Sequence, residues 1–456
     1  MRLFIFFLRR MVVSESLTVL IIGSGAREHA ISSAYEKSPR VGKIVVAPGN
    51  DFIAYKRKKE IIVEKECGAQ ELQKIYETAK KHKADIVDVA QDNALANGTV
   101  DFLKKRKFTA FGPTKHAAEI EWNKAWSRSF MVRKSIPAPE VRIFSDGETA
   151  VEHLKHVYAE RPDKPLYIKA SGLCAGKGAL KAENLCEATW CVRRMKDFGD
   201  AGKTFVIEDG LEGEEFSYYA ISDGKTYRVF KSAQDNKRVF NNDEGEQTGG
   251  MGVVSPAKVT EQFAAEIVGK QIERALNGMR QEKRKYKGIL YLGGIISDGK
   301  PMTIEYNARW GDPECQTILP SLDMDYAELV LACCEERLDD AIMRYDKKTR
   351  VCVVGASRGY PNDYSAVKGK KIHGLDEAMA TPGATVFGAG VDICEGEFCA
   401  NGGRLFSVVG EGKDVIEARE RAYAAISKIS VEGNNLHYRT DIGWRDVERS
   451  RTEARV

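Results

Sequence analysis

The stretch Ile304-Glu305-Tyr306-Asn307-Ala308-Arg309-Trp310-Gly311-Asp312-Pro313-Glu314 says most about the fold and function of this chain. It follows the turn Ser297-Asp298-Gly299-Lys300, so its first residues are predicted to form the second strand of a hairpin. Side chains two apart on a strand share a face, which puts Glu305 beside Asn307, followed by Arg309 if the strand continues. A carboxylate beside an amide oxygen suits a hard cation such as Mg²⁺. The alternative is an edge strand with its polar face in water.

The composition is that of an ordinary globular protein. The 456 residues predict about three domains, and 30% of them are charged while 43% are hydrophobic. A net charge of +4 requires neither nucleic acid nor a membrane as a partner, and we expect neither. The 10 cysteines form no cluster at zinc-binding spacing, and Cys394 and Cys399 are too close together to staple a fold of this size. We therefore expect a reducing compartment, the cytoplasm.

The first ten residues, MRLFIFFLRR, are unusual. Their apolar run, Leu3–Leu8, is shorter than the core of a secretory signal and too short to span a bilayer. We interpret them as an extension or a misplaced start, with a mitochondrial address as the alternative. Residues 1–16 are expected to precede the first domain.

Residues 17–117 are predicted to form a doubly wound α/β domain. Leu17–Ile22 is a continuous apolar run, as in a strand buried on both faces of a parallel sheet, and it leads into the loop Gly23–His29. Strands and helices then alternate, as this fold requires. They are predicted at Lys43–Ala47 (strand), Gln70–Lys81 (helix), Asp85–Ala90 (strand) and Leu95–Lys105 (helix).

The remaining chain is predicted to form two more domains. Residues 118–345 begin within a helix predicted over Lys115–Arg133 and continue as an antiparallel α+β region with Asp-Gly turns. Residues 346–456 contain short strands, many glycines and a helix near Val415–Ser427.

Three segments of the middle domain are candidates for binding a nucleotide or a phosphorylated sugar. Tyr167–Gly178 is a strand with Lys169 followed by a glycine-rich loop, whose backbone amides suit phosphate oxygens although it is not a Walker A loop. Phe205–Ser217 is strand, hinge and strand. Ala233–Arg238, with the glycines of Thr248–Gly252, suits a sugar phosphate. Taken singly, a surface turn, an acidic hairpin and a surface loop are the alternatives.

Together these features resemble the ATP-grasp ligases. The exact residues of the motifs resemble those of the phosphoribosylamine–glycine ligase family. Nine short motifs occur in the family's order between Leu17 and Arg445. They are Gly23–Ala30, Pro48–Asn50, Phe111–Thr114, Ser171–Gly178, Gln234–Arg238, Thr248–Gly252, Asn307–Glu314, Asn401–Arg404 and Asp441–Arg445. The resemblance implies an α/β N-terminal domain, an ATP-grasp central domain with a mobile lid at about residues 137–207, and a small mixed C-terminal domain.

The resemblance also implies an activity and residue roles. The family joins glycine to 5-phosphoribosylamine using ATP, through a glycyl phosphate. Mg²⁺ or Mn²⁺ would be bound by Glu305 and Asn307, and Arg309 and Lys169 would be catalytic. ATP would be bound by Lys124, Lys169, Ser171, Gly172, Gly176, Lys177, Gly178, Glu208, Gly210, Leu211 and Glu215. The substrates would be bound by Gly25, Arg27, Glu28, Gly49, Asn50, Asp92, Asp235, Lys237, Gly249, Gly250 and Arg309, with Asp235 and Lys237 on the phosphoribosyl part. We expect a monomer or weak homodimer.

Three residues depart from the family pattern where the phosphoribosyl group would bind. Asp92 replaces a usual Glu, Asn236 a usual His and Gln247 a usual Asn. They leave open the alternative that the chain is a related ligase that uses another amine.

Two further alternatives belong to other classes. Gly23-Ser24-Gly25 after a buried strand resembles a nicotinamide-dinucleotide fingerprint, but Glu28 stands in place of its third glycine. A non-catalytic relative of the ATP-grasp fold would be expected to lose Lys169, Glu305 or Asn307, and all three are present.

Overall fold

The computed structural model describes residues 16–174 and 176–453. The predicted N-terminal extension, apart from Ser16, lies outside the described residues, and so does Ala175 of the glycine-rich loop. Within those two ranges, no helix has both the length and the apolar character needed to cross a membrane.

The N-terminal region is a parallel sheet flanked by helices, as predicted. Its strands are β1 (Leu17–Gly23), β2 (Val41–Pro48), β3 (Glu60–Val63), β4 (Ile86–Val89) and β5 (Ala110–Phe111), in the order β3-β2-β1-β4-β5. Its helices are α1 (Ala26–Lys37), α2 (Leu72–His82), α3 (Asp92–Asn97) and α4 (Thr99–Lys105). The single helix predicted over Leu95–Lys105 is wrong, because Gly98 adopts a left-handed conformation (φ 85°) and separates α3 from α4.

The helix predicted over Lys115–Arg133 is also two helices, α5 (Lys115–Trp122) and α6 (Lys124–Arg133). Asn123 between them has non-helical angles (φ −129°, ψ 89°), and its side chain accepts a hydrogen bond from the backbone amide of Trp126. This cap begins a new helix, and Lys124 becomes its first residue.

A separate layer follows, with a hydrophobic core of its own. Its antiparallel sheet has the order β6-β9-β7-β8. The elements are β6 (Val141–Phe144), α7 (Gly147–Glu160), β7 (Leu166–Ala170), β8 (Ala179–Ala182), α8 (Leu185–Arg194) and β9 (Phe205–Asp209). The glycine-rich loop connects β7 to β8, at one end of this sheet.

The central sheet contains the hairpin predicted from the opening stretch. Its strand order is β11-β10-β16-β17, and Ser297 pairs with Lys300 across the turn. The strands of this region are β10 (Glu214–Asp223), β11 (Tyr227–Val229), β12 (Gln234–Asp235), β13 (Arg238–Phe240), β14 (Glu244–Gln247), β15 (Gly252–Ser255), β16 (Lys287–Ser297) and β17 (Lys300–Asn307). The helices are α9 (Ala264–Ile267), continued by a π-helical segment to α10 (Arg274–Gln281), then α11 (Cys315–Ile318) and α12 (Tyr326–Cys334).

The C-terminal region builds a sheet that reaches across the predicted boundary at residues 345 and 346. Its order is β12-β15-β18-β23-β20, with β25 also on β18, so β12 and β15 of the central region belong to it. The strands are β18 (Thr349–Ser357), β19 (Ile372–His373), β20 (Ala384–Gly388), β21 (Val391–Cys394), β22 (Glu397–Ala400), β23 (Arg404–Gly412), β24 (Ser430–Val431) and β25 (Leu436–His437). The helices are α13 (Leu375–Met379), α14 (Val415–Ile426) and α15 (Trp444–Glu453). A disulfide joins Cys394 to Cys399 across the β21–β22 hairpin, which sequence analysis did not anticipate.

Candidate functional site

The side chains of Glu305 and Asn307 lie on the same face of β17, as the strand alternation predicts. Nδ2 of Asn307 donates a hydrogen bond to Oε1 of Glu305 over 3.3 Å. Burial raises the pKa of Glu305, but the positive charges of Lys124, Lys169 and Lys237 outweigh it, so the net pKa lies below its ordinary value. An ionised carboxylate and the side-chain amide oxygen of Asn307, carried on one strand face, are the kinds of ligand that Mg²⁺ or Mn²⁺ takes. Two protein oxygens leave coordination positions for phosphate oxygens and water.

Lys124 and Lys169, whose charges act on Glu305, belong to different elements. Lys124 opens α6, and Lys169 lies near the end of β7. The ammonium group of Lys169 forms an ion pair with Glu208 of β9, whose other oxygen pairs with Arg128. Glu208 is 3% exposed, and its two carboxylate oxygens face these two cations. These ion pairs hold the ammonium group of Lys169 in place.

Ser171 anchors the base of the glycine-rich loop. Its hydroxyl donates to Oδ1 of Asn123 and accepts from the Ala125 amide, both over 3.0 Å, and its carbonyl accepts from the Lys124 amide. The amide of Gly172 donates to the carbonyl of Ala201. These bonds connect the loop to the helix break that carries Lys124.

The remainder of the loop has few such contacts. Gly176 (φ 79°) and Lys177 are exposed, and a Cβ added at Gly176 would meet nothing within 4 Å. The carbonyl of Gly178 accepts from the amide of Ala170. The loop is therefore fixed at both ends and exposed at Gly176 and Lys177.

The hinge between β9 and β10 carries Gly210 and Leu211, and Glu215 follows as the second residue of β10. The amide of Gly210 donates to the carbonyl of Pro165 over 2.7 Å, so it is occupied by the protein. Leu211 is half-buried in the hinge. The carboxylate of Glu215 pairs with Lys237 over 2.8 Å, which brings the hinge strand to the Gln234–Arg238 segment.

Arg309 is held against the Glu305–Asn307 pair by a residue that sequence analysis missed. Nη2 of Arg309 lies 3.3 Å from Oδ1 of Asn307 and 2.9 Å from the carboxylate of Glu121. The other oxygen of Glu121 accepts from the amide of Ala308 over 2.7 Å. Burial lowers the pKa of Arg309, but Glu121 and then Asp92 outweigh it and raise the pKa. Glu121 lies in α5, and nothing in its local sequence indicated this contact.

The N-terminal loops meet the turn that follows Arg309. The guanidinium of Arg27 pairs with Glu28 over 2.7 Å and donates to the carbonyl of Trp310 over 3.2 Å. Glu28 also accepts from the amide of Gly25 over 2.6 Å. A Cβ added at Gly25 would lie 3.5 Å from the Asp312 carboxylate, so the first loop touches this turn.

The second N-terminal loop is tied to the first and to the C-terminal sheet. The amide of Gly49 donates to the carbonyl of Gly23 over 3.0 Å. The side-chain amide of Asn50 donates to the carbonyls of Ser24 (2.7 Å) and Gly388 (3.1 Å). Asn50 thereby supports the loop Gly23–Glu28 rather than projecting a free amide.

Asp235, Lys237, Gly249 and Gly250 form the opposite side of the site. Oδ1 of Asp235 would lie 2.8 Å from a Cβ added at Gly250, so the carboxylate packs under that glycine. Burial raises the pKa of Asp235 to about 8, since the acidic neighbours Glu314 and Glu215 add to it and Lys237 only partly opposes it.

Arg404 of β23 fixes this side of the site and was recognised only as part of a motif. Its guanidinium donates to the carbonyls of Gly249 (2.7 Å) and Asp312 (2.8 Å) and pairs with the Asp312 carboxylate over 3.0 Å. One side chain therefore joins the glycine loop to the turn after Arg309.

The three departures from the family pattern occupy different surroundings. Asp92 begins α3 close enough to Arg309 to contribute to its raised pKa. Asn236 is buried, and its side-chain amide donates to the carbonyl of Gly252 over 3.1 Å. Gln247 is exposed on β14, where it pairs with Arg238. Of the three, only Asp92 places a carboxylate beside the Arg309 cluster.

Three family models match this chain one after another. Family models match as "Phosphoribosylglycinamide synthetase" N domain (residues 17–121), ATP-grasp (A) domain (residues 122–315) and C domain (residues 350–445). Phosphoribosylamine–glycine ligase of Haemophilus influenzae is 39% identical over 438 residues, covering 95% of this chain and 99% of that protein. The protein of the same name from Escherichia coli K12 is 38% identical over 440 residues, with 95% and 99% coverage.

Solved structures agree on the fold. The crystal structure of phosphoribosylamine–glycine ligase from Thermotoga maritima superposes with a TM-score of 0.76 at 28% identity, covering 93% of this chain and all (100%) of that one. The biotin carboxylase domain of Hydrogenobacter thermophilus 2-oxoglutarate carboxylase, solved with MgADP and bicarbonate, has a TM-score of 0.68 at 14% identity, covering 92% and 91%. At that identity the likeness concerns the fold alone. With all three family domains matched in order along most of its length, the chain belongs to the phosphoribosylglycinamide synthetase family of ATP-grasp ligases.

Proposed function

We propose that this chain joins glycine to 5-phosphoribosylamine, consuming ATP and releasing glycinamide ribonucleotide, ADP and phosphate. The observation that carries the proposal is the convergence of Lys124, Lys169 and Lys237 on an ionised Glu305 paired with Asn307. Such a cluster of charges suits the transfer of a phosphoryl group, where alignment and neutralisation do most of the work.

The chemistry proceeds in two steps. A carboxylate oxygen of glycine attacks the γ-phosphorus of ATP, and ADP leaves. The amine nitrogen of phosphoribosylamine then attacks the acyl carbon of glycyl phosphate, loses a proton, and phosphate leaves. A divalent cation held by Glu305 and Asn307 would neutralise the phosphate oxygens.

The residues of this chain supply orientation and shielding. Lys124 and Lys169 contact the phosphates of ATP, and Arg309 holds the carboxylate that is phosphorylated. The loop Gly172–Gly178 closes over the reacting groups, keeping water from glycyl phosphate. Arg27 and the adjoining N-terminal loops bind the phosphoribosyl part. We propose Mg²⁺, with Mn²⁺ as a substitute, and a cytoplasmic location.

The test is formation of ADP and of amide product from ATP, glycine and phosphoribosylamine, with omission of each substrate in turn. Glu305→Ala should reduce turnover at least a hundredfold, or about 2.7 kcal/mol in activation free energy, while the thermal unfolding curve is retained. Glu244→Ala, which removes an exposed carboxylate of β14, is the matched control and should behave as the wild type. Near-normal turnover of Glu305→Ala contradicts the metal assignment.

The second candidate function is a related ligase with another amine substrate. It is favoured by Asp92, which lies near Arg309 and replaces the usual Glu of the family. If Asp92 accepts a hydrogen bond from phosphoribosylamine, Asp92→Ala leaves a donor unpaired at a cost of roughly 1–3 kcal/mol. Its KM for phosphoribosylamine should rise strongly, and those for ATP and glycine little. Asp92→Glu should be tolerated. Unchanged kinetics of Asp92→Ala for every substrate would favour the other amine.

A further inference from the structure

A cavity of about 190 Å³ lies at the edge of the N-terminal sheet, where the motif Phe111–Thr114 begins. It is bounded by β5, by the end of α4, by the first residue of β16 and by the end of α12. None of the described residues that we assign to the metal, to ATP or to the substrates lines it. The motif Phe111–Thr114 contributes to the family resemblance but has no role in the proposed reaction. The edge cavity is therefore separate from the proposed active site.

One backbone amide faces the edge cavity without an acceptor. β5 is an edge strand of the parallel sheet and pairs with β4. The Val87 amide donates to the carbonyl of Thr109 over 2.8 Å, and alternate residues of a parallel strand bond to the same neighbour. The N–H and C=O of Ala110 therefore point away from β4, toward the open edge. No acceptor for the Ala110 amide is found among the described residues outside the sheet.

Two lysines bring positive charge to the edge cavity. Lys104 near the end of α4 and Lys287 at the start of β16 both line it. Lys104 forms no ion pair with another described residue, and the carboxylate of Asp101, which acts on it, accepts instead from the amide of Lys115 over 2.7 Å. Burial lowers the pKa of Lys104, and the nearby charge of Lys287 lowers it further. Lys104 is therefore a cation that lacks a counter-ion.

The partner of Lys287 does not neutralise this part of the surface. The carboxylate of Glu336 is shared by three ammonium groups, those of Lys287 (2.6 Å), Lys285 (2.6 Å) and Lys225 (3.1 Å). Lys104 adds a fourth positive charge beside one carboxylate. This excess of positive charge attracts an anion to the edge cavity.

The remaining walls are apolar and limit the size of a ligand. Phe111 is buried and Phe108 is half-buried, so the cavity offers aromatic surface rather than acidic groups. A Cβ added at Gly288 would lie 3.0 Å from Cα of Gly112, which shows how closely β16 approaches the motif. Pockets for drug-sized ligands start at about 300 Å³, so a cavity of about 190 Å³ suits a compact ligand.

We propose that the edge cavity binds a compact oxyanion, with its charge on Lys104 and Lys287 and one oxygen accepting from the Ala110 amide. Ammonium and amide groups are donors, which match the acceptor oxygens of an ionised phosphate or carboxylate. Free phosphate and the carboxylate of a small metabolite share this chemistry. Because α4 and β5 belong to the N-terminal region and β16 and α12 to the central region, the anion joins the two regions. The proposal does not depend on the proposed reaction.

The test is calorimetric titration of sodium phosphate, and separately of sodium acetate, into the full chain at an ionic strength held constant with chloride. Lys104→Met keeps the apolar stem and removes the charge, so it should raise the Kd of the bound anion at least tenfold. Lys104→Arg keeps the charge and should stay within threefold of the wild type. Lys105→Met, at the next and exposed position of α4, is the matched control and should leave the Kd unchanged. Tighter binding of phosphate or of acetate identifies which of the two anions the cavity prefers.

Two further measurements separate the edge cavity from misfolding and from the active site. Without an oxyanion, Lys104→Met should unfold at the wild-type temperature and form ADP at the wild-type rate, since Lys104 lies outside the proposed active site. The bound anion should raise the unfolding temperature of the wild type and not that of Lys104→Met.

The proposal is overturned if neither anion binds, or if Lys104→Met binds as tightly as the wild type. Phosphate binding that is lost in Lys169→Met and kept in Lys104→Met would place the anion at the active site instead. Each of these results leaves the proposed function standing. Failure of the wild type to form ADP and amide product would contradict the proposed function and leave the titration of the edge cavity unaffected.

Discussion

Arg309 follows the strand that carries Glu305 and Asn307, and its position depends on Glu121. Glu121 neutralises the guanidinium over 2.9 Å and fixes the backbone at Ala308 over 2.7 Å. Removing one charge of a buried pair leaves the other uncompensated. A residue distant in sequence therefore decides whether Arg309 can face a substrate carboxylate.

Glu121→Gln should keep the hydrogen bond to Ala308 but lose the ion pair. We expect the free energy of unfolding to fall by roughly 3 kcal/mol and kcat/KM for glycine to fall at least tenfold. Chemical denaturation and initial rates measure the two effects. Glu282→Gln, which removes an exposed ion pair with Arg133, is the control and should change neither. A wild-type response to glycine in Glu121→Gln would mean that Arg309 is positioned without it.

Asp88 is a buried carboxyl in the middle of the N-terminal sheet. It lies on β4, is 2% exposed, and accepts a hydrogen bond from the hydroxyl of Tyr35 over 2.9 Å. Burial raises its pKa to about 7, although the Tyr35 bond opposes the shift. The folded protein therefore holds a proton here that the unfolded chain releases near its ordinary pKa.

A pKa raised by folding stabilises the protein at low pH. The contribution of Asp88 is fully present below about pH 4 and is lost as the pH rises to about 7, a change on the order of 4 kcal/mol. Asp88→Asn keeps a neutral side chain at every pH, so its stability relative to the wild type should increase from pH 4 to pH 8. Urea unfolding at several pH values measures this. Asp85→Asn, at an exposed position, is the control, and a constant difference between Asp88→Asn and wild type would contradict the assignment.

At the scale of elements, the glycine-rich loop should be the most changeable part of the site. Its base is fixed by Ser171, and Gly176 and Lys177 are exposed, so local opening breaks few contacts. Hydrogen exchange of Gly176–Gly178 should be fast in the free protein and slow with ATP and Mg²⁺ bound. The buried strand β1 is an internal control that should stay protected in both states. Equal protection of the loop in both states would argue against a closing lid.

The elements that could be predicted are those whose sequence signals are local. The β16–β17 hairpin was predicted because the Asp-Gly turn and the alternation of Glu305 and Asn307 are local signals. The break at Asn123 was not predicted, because its neighbours are good helix formers and only the capped geometry separates α5 from α6. Glu121 was missed for a related reason, since its partner Arg309 is remote in sequence.

At the scale of the whole molecule, the shared sheet is the main feature that sequence reasoning could not supply. β12 pairs with β15, and β15 pairs with β18, which comes about a hundred residues later in the chain; no local pattern indicates such a pairing. The consequence is that Asp235 and the strand after Gly250 are held by the C-terminal region. The order of the motifs along the sequence indicated the family resemblance, whereas their grouping in three dimensions could not be predicted from the sequence.

A chain ending at residue 345 should therefore fail even though every residue of the Glu305–Asn307 cluster is present. Losing β18 leaves one edge of β15 unpaired along Gly252–Ser255, and we expect dye-binding apolar surface and no turnover. The control is a full chain cut by a protease at a site inserted beside Ile342, which is 75% exposed. The cut chain keeps both pieces and should remain folded and active, whereas an active truncated chain would contradict the structural role of β18.

The shared sheet also sets an order of events during synthesis. A ribosome releases residues 305–309 before β18 has been made, so the β16–β17 hairpin can form early. The sheet that holds Asp235 stays incomplete until residues 349–357 emerge. The nascent chain should then acquire nucleotide binding before the part of the site around Asp235 is complete, and stalled chains arrested before residue 349 would separate the two.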